Sequence, residues 1–395
     1  MNSESAIVLL KRLAAEGVSP WLADSGRGGV TGGAPDQLTE ARLFRGAVRP
    51  PSSPADARRA CDALWPVHEA SGGHDGHVSV PVNPRIAHDA RALTEEARYI
   101  HREVGRPNLL VRIPATAAGL VALGDCVADG IGVDSALVFC AERYGQVLDA
   151  YFSGMERALA SGLALQTIAC VASFPVGPLD TEANARLGAV TPRPQGGGGA
   201  GPSAVCEGTV PEGAGVPGAA GVPEGAGVPE GAAVPGAAGV PEGAAVPEFP
   251  RGPVRTRTPH PREAVAGTTA CEVADTAAVA VARQVFRVRE ERLASEWWRV
   301  LRAGGARPPR LLWTEPHCRH IASLIGWNTA IAMPPDVLET ASDELELLGD
   351  TLLNTHTEGR RALAALERHG VRMGELAGVL ETAELARLQH SWEHR

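Results

Sequence analysis

Short apolar runs alternate with stretches of helical spacing along most of the chain. The apolar runs fall at Val18–Asp24, Val78–Val82, Asn108–Ile113, Ile131–Phe139, Ile168–Phe174, Arg310–Trp313 and Trp327–Ala332. Apolar positions three and four apart predict helices over Ser5–Glu16, Ala55–His68, Ala87–Val104, Glu142–Ala160 and Thr276–Arg302. A further helix begins at Thr181–Leu187, and Thr351–His369 and Glu375–Trp392 close the chain. Strand followed by helix, repeated, predicts a parallel sheet. The sharpest instance is Asn108–Leu120, NLLVRIPATAAGL. An apolar strand there ends on one charged residue, Arg112, and Pro114 stops it before a helix begins. A parallel α/β barrel presents its catalytic groups at such strand ends.

The pattern breaks twice. Gly26–Pro54 is rich in Gly, Pro and Ser, with no strong strand or helix signal apart from Gln37–Phe44. From Thr191 to about Pro261 the chain is low complexity, built on a six-residue unit that starts at Val210, Val216, Val222 and onwards to Val246. Proline in every unit forbids a regular helix, and Gly and Ala supply little to bury. This segment is expected to be a disordered, extended spacer. The expected division is therefore 1–190 and 263–395 as two parts of one barrel, with 191–262 as an insertion.

Several of these stretches together resemble the transaldolases in their long bacterial form. They are VSPWLADSGR (18–27), HVSVPVNPRIAHDA (77–90), the Asn108 strand, GIGVDSALVFCAERYGQVLDAYFSGMERA (130–158) and IACVASFPVGPLDTEANARL (168–187). PRLLW (309–313) and WNTAIAMPPDVLE (327–339) fit as well. The resemblance implies a (β/α)8 TIM-type barrel whose terminal helices pack over it. In that family the second strand ends in a Thr-Asn-Pro motif, which Gly26–Pro54 lacks. The expectation is a barrel with its second strand lost or replaced; the alternative is a divergent strand around Phe44–Val48.

The resemblance also implies a reaction. Transaldolases move a dihydroxyacetone unit between sugar phosphates, from sedoheptulose 7-phosphate to glyceraldehyde 3-phosphate, in the pentose phosphate pathway. They use no cofactor and no metal. A lysine amine forms a Schiff base with the ketose carbonyl, which requires that the amine first lose a proton. Here Arg112 stands at the lysine's position. A guanidinium holds its proton in proteins and is a poor nucleophile. Lys11, the only lysine in the chain, belongs to the first helix and cannot replace it.

The supporting residues are changed too. Asp24 matches the family's acid–base aspartate, and Ser173 matches a substrate-site serine. Pro81 stands where the family has its catalytic glutamate. Ala136 replaces the threonine that holds a catalytic water, and Asp134 replaces a nearby asparagine. Pro178 stands where an arginine grips the substrate phosphate. Schiff-base activity is therefore expected to be impaired or lost. An ion pair between Arg112 and Asp24 is expected to plug the old site. The remaining roles are a sugar-phosphate-binding or regulatory protein, or a repurposed non-covalent acid–base enzyme.

Composition changes this picture little. Apolar residues make up 44% of the chain, ample for a large core. A net charge of -9 argues against nucleic acid as a partner. No apolar stretch is long enough to span a bilayer, and the N-terminus does not read as a signal peptide. The seven cysteines show no motif spacing, so reduced thiols in a cytoplasmic protein are expected. His68, His74 and His77, and His317, Cys318 and His320, cluster without metal-ligand spacing. A homo-oligomer and a complex with an active paralogue are both left open.

Overall fold

The computed structural model describes residues 3–23, 43–49, 53–190 and 270–393. The expected insertion and Asp24 lie outside the described residues. The described chain belongs to one compact unit. Helix α1 (Ser3–Ala15) leads into β1 (Val18–Ala23), and β2 is Gly46–Val48. Then come α2 (Pro54–Ala70), β3 (His77–Pro81), α3 (Ala90–Val104), β4 (Leu109–Pro114), α4 (Ala117–Ala128), β5 (Val133–Ala136), α5 (Ala141–Ala160), β6 (Cys170–Pro175) and α6 (Val176–Val190). Next among the described residues come α7 (Ala270–Val273), α8 (Ala277–Leu293) and α9 (Glu296–Ala303), then β7 (Arg310–Thr314), α10 (Cys318–Ile321) and β8 (Thr329–Met333). The described chain ends in α11 (Pro335–Glu344), α12 (His356–Arg368) and α13 (Met373–Glu393).

The eight strands form a closed parallel barrel in chain order. This corrects the expectation of a lost second strand. The strand exists as Gly46–Val48, paired in register with Trp21–Ala23 on one side and His77–Ser79 on the other. It is short, and Gly46 has a packing reason. A Cβ there would fall on the Trp21 indole, which fills the barrel interior and is 0% exposed. The alternative reading, a divergent strand around Phe44–Val48, is the one that holds.

The long helix expected over Thr276–Arg302 is two helices. Ser295 separates α8 from α9, and its hydroxyl accepts the Trp298 N–H at 3.2 Å as an N-cap.

Two apolar clusters result from strand alternation. A large one lies between strands and helices. A small one, Trp21, Leu110, Val171, Leu312, Ala330 and Ala332, fills the barrel interior. Polar groups sit at both ends of this interior layer. At the N-terminal end Asp75 accepts from Ser19 Oγ (2.8 Å), Arg310 (2.6 Å) and Arg45 (3.2 Å). Burial pushes the Asp75 carboxyl up, but the Arg310 charge and its hydrogen bond, with Ser19 and Arg45, hold it below the usual carboxylate range. His77 is buried beside this group, its ring 5.2 Å from that of His68.

Candidate active site

The C-terminal end of β4 carries the side chain of interest. The sequence builds this end tightly. Thr116 caps α4 by accepting the Gly119 N–H at 2.9 Å. Gly119 packs against the Pro114 carbonyl, where a Cβ would not fit. The first turn of α4 is thus pressed onto the end of β4.

Leu110 and Arg112 share the inner face of β4. The register sets Arg112 beside Asp134 of β5 and Pro81 of β3. Arg112 Nη1 lies 3.8 Å from Asp134 Oδ2, and the two side chains are 16% and 0% exposed. That distance makes an ion pair but is too long for a hydrogen bond. The Asp134 oxygens are engaged elsewhere. Ser79 Oγ donates to Oδ2 at 2.5 Å, and Ser173 Oγ donates to Oδ1 at 2.7 Å. Both hydroxyls are buried. One carboxylate therefore joins β3, β5 and β6 across the inner face, with the Arg112 guanidinium above it.

The structure thus brings three predicted site residues together: Arg112, Asp134 and Ser173. Asp24, and with it the expected Arg112–Asp24 pair, lies outside the described residues. The carboxylate paired with Arg112 among the described residues is Asp134. Sequence reasoning missed Ser79. Its signal was the alternation His77-Val78-Ser79-Val80, which puts His77 and Ser79 on one face of a buried strand and the valines on the other. It also missed Thr314, whose buried hydroxyl lacks a hydrogen-bond partner among the described residues.

Helix α13 reaches the loops at this end of the barrel. Gln389 Nε2 donates to the Pro84 carbonyl at 3.1 Å, just after β3, and Glu393 pairs with Arg85. Glu381 pairs with Arg143 (3.2 Å), at the start of α5. Arg387 pairs with Glu315 (3.1 Å), just after β7. Leu376, Leu380 and Leu385 bury its apolar side. Asp180 of α6 binds the ring of His320 at 2.7 Å and accepts the Ala278 N–H at 2.8 Å. His320 Nδ1 accepts the His317 N–H at 3.1 Å, so its Nε2 carries the proton donated to Asp180. This histidine is a strut between helices. Among the described residues no group of three His, Cys, Asp or Glu side chains could hold a metal ion. No helix among them is long and apolar enough to cross a membrane.

A closed eight-stranded parallel barrel with the Arg112, Asp134, Ser79 and Ser173 cluster towards the strand C-termini defines the TIM-barrel class. The sequence comparisons narrow it. The family profile "Transaldolase/Fructose-6-phosphate aldolase" matches residues 53–201. The "Transaldolase" of Acidothermus cellulolyticus is 31% identical over 345 residues, covering 85% of this chain and 72% of that protein. "Transaldolase 1" of Streptomyces avermitilis is 29% identical over 425 residues, covering 97% of this chain and 92% of that protein. The "Transaldolase" of Parafrankia sp. is 30% identical over 347 residues. The chain belongs to the transaldolase family.

Proposed function

We propose that this protein is a transaldolase-family barrel that has given up Schiff-base transfer and keeps a sugar-phosphate-binding mouth. The family reaction is dihydroxyacetone transfer between sugar phosphates. It depends on an amine that can lose its proton, and a guanidinium cannot meet that need. The observation that carries the reading is the Arg112–Asp134 pair at the end of β4. A buried carboxylate at that distance favours the charged form of any cation placed there. Even a lysine at 112 would then be held as an ammonium.

Borohydride trapping with fructose 6-phosphate tests this. The unaltered protein is expected to give no reduced adduct by intact mass. Arg112→Lys is expected to trap poorly, and Arg112→Lys/Asp134→Asn to trap more, because the amine is released from its anion. An adduct on the unaltered protein overturns the reading. So does transfer of three-carbon units at an ordinary enzymatic rate.

A further inference from the structure

We propose that the Arg112 guanidinium is an oxyanion receptor, binding the carboxylate or phosphate of a small ligand that enters at the C-terminal end of the barrel. This rests on the reading that Arg112 does no covalent chemistry.

A guanidinium offers five N–H donors in a planar fork and accepts nothing. Arg112 is largely buried yet 16% exposed, so its head reaches the mouth while its stem is packed. It makes no hydrogen bond to any described residue, and its ion-pair partner there is Asp134, at 3.8 Å. Asp134 cannot turn to meet it, because Ser79 and Ser173 hold both its oxygens. The carboxylate offsets the charge without using the donors. None of the Arg112 nitrogens is a buried donor without a partner, so they open onto the mouth. An oxyanion arriving there would replace water with a charge-assisted pair.

A second observation points to the same end of the barrel. Thr314, the last residue of β7, alternates inward with Leu312 and is 4% exposed. Its hydroxyl has no hydrogen-bond partner among the described residues. Among the described residues the mouth thus presents an unfilled cationic fork and an unfilled hydroxyl. Their match is a small polar molecule with an oxyanion at one point and a hydroxyl or second oxygen at another. Planar carboxylates and tetrahedral phosphates both accept two parallel N–H bonds from such a fork.

The test is calorimetry and thermal melting of the full chain with gluconate, inorganic phosphate and fructose 6-phosphate, each against sodium chloride at equal ionic strength. At least one of the three is expected to bind and raise the melting temperature above the chloride control. A response to gluconate alone assigns a carboxylate, and a response to the phosphates alone assigns a phosphate. Arg112→Lys keeps the charge but loses the fork, and should weaken binding by roughly tenfold or more. Arg112→Gln/Asp134→Asn keeps the local charge balance and should abolish it. No response to any oxyanion beyond chloride overturns the proposal. So does unchanged affinity in a folded Arg112 variant. A borohydride adduct sinks the reading that Arg112 does no covalent chemistry. A protein that forms no adduct and binds none of the three oxyanions fails this proposal and the sugar-phosphate-binding mouth together, while the loss of Schiff-base transfer stands.

Discussion

At position 134 one buried carboxylate has three claimants, and the two hydroxyls outcompete the guanidinium. Ser79 and Ser173 reach it at hydrogen-bond distance while Arg112 does not. Ser79→Ala and Ser173→Ala should each destabilise the fold by about 1–3 kcal/mol, since each leaves a buried oxygen short of a donor. Urea denaturation measures this. In the double variant the losses should not add, because both act through the same carboxylate. Strictly additive losses would mean that the serines stabilise the barrel independently of Asp134. Arg112, Asp134 and Ser173 were legible because each falls in a stretch resembling a known strand. Ser79 lies in such a stretch as well, but the resemblance gives it no role, and Thr314 lies just past one; without that, a strand-borne hydroxyl looks the same in sequence whether it faces a carboxylate or a backbone group.

Among the elements, β2 was the one the sequence obscured. Gly46-Ala47-Val48 is too short to show alternation, and its glycine argues locally against a strand. What makes it a strand is tertiary. The Trp21 indole takes the space where a side chain would sit. Gly46→Ala should therefore overpack the interior and lower stability by about 1–3 kcal/mol, measurable as a lower midpoint in urea. A neutral result would show that Trp21 can move aside. The break at Ser295 was hidden for another reason. Apolar spacing runs on through Ala294, so periodicity alone joins two helices into one. Ser295→Ala should cost about 1 kcal/mol through loss of the cap on α9. Most other strands and helices were legible, because strict strand–helix alternation leaves few ways to fold.

Across the whole molecule, acid should act from the N-terminal end of the barrel. Burial, and then the charges of His68, Arg310 and Arg307 working against Asp75, push His77 down to about 3. In the unfolded chain its pKa returns to roughly 6.5. Between those values the unfolded state binds the extra proton, so stability climbs with rising pH and is lost as pH falls from about 6.5 towards 3. Asp75, held below its usual range, adds a second loss at the acid end of that window. His77→Gln should flatten the dependence of melting temperature on pH between about 6.5 and 4. An unchanged slope would assign the acid sensitivity to other groups.

The brevity of β2 has a dynamic consequence. It forms three register pairs with each neighbour. The β5–β6 and β7–β8 seams are as short, but each of those strands has four or five pairs on its other side. A strand held by few rungs on both sides yields first. Backbone amides facing β2, on Trp21–Ala23 and His77–Ser79, should take up deuterium sooner than those on the β6–β7 side. Brief partings of that seam would then wet the indole, the bottom carboxylate and the neutral imidazole together, well before the helices let go.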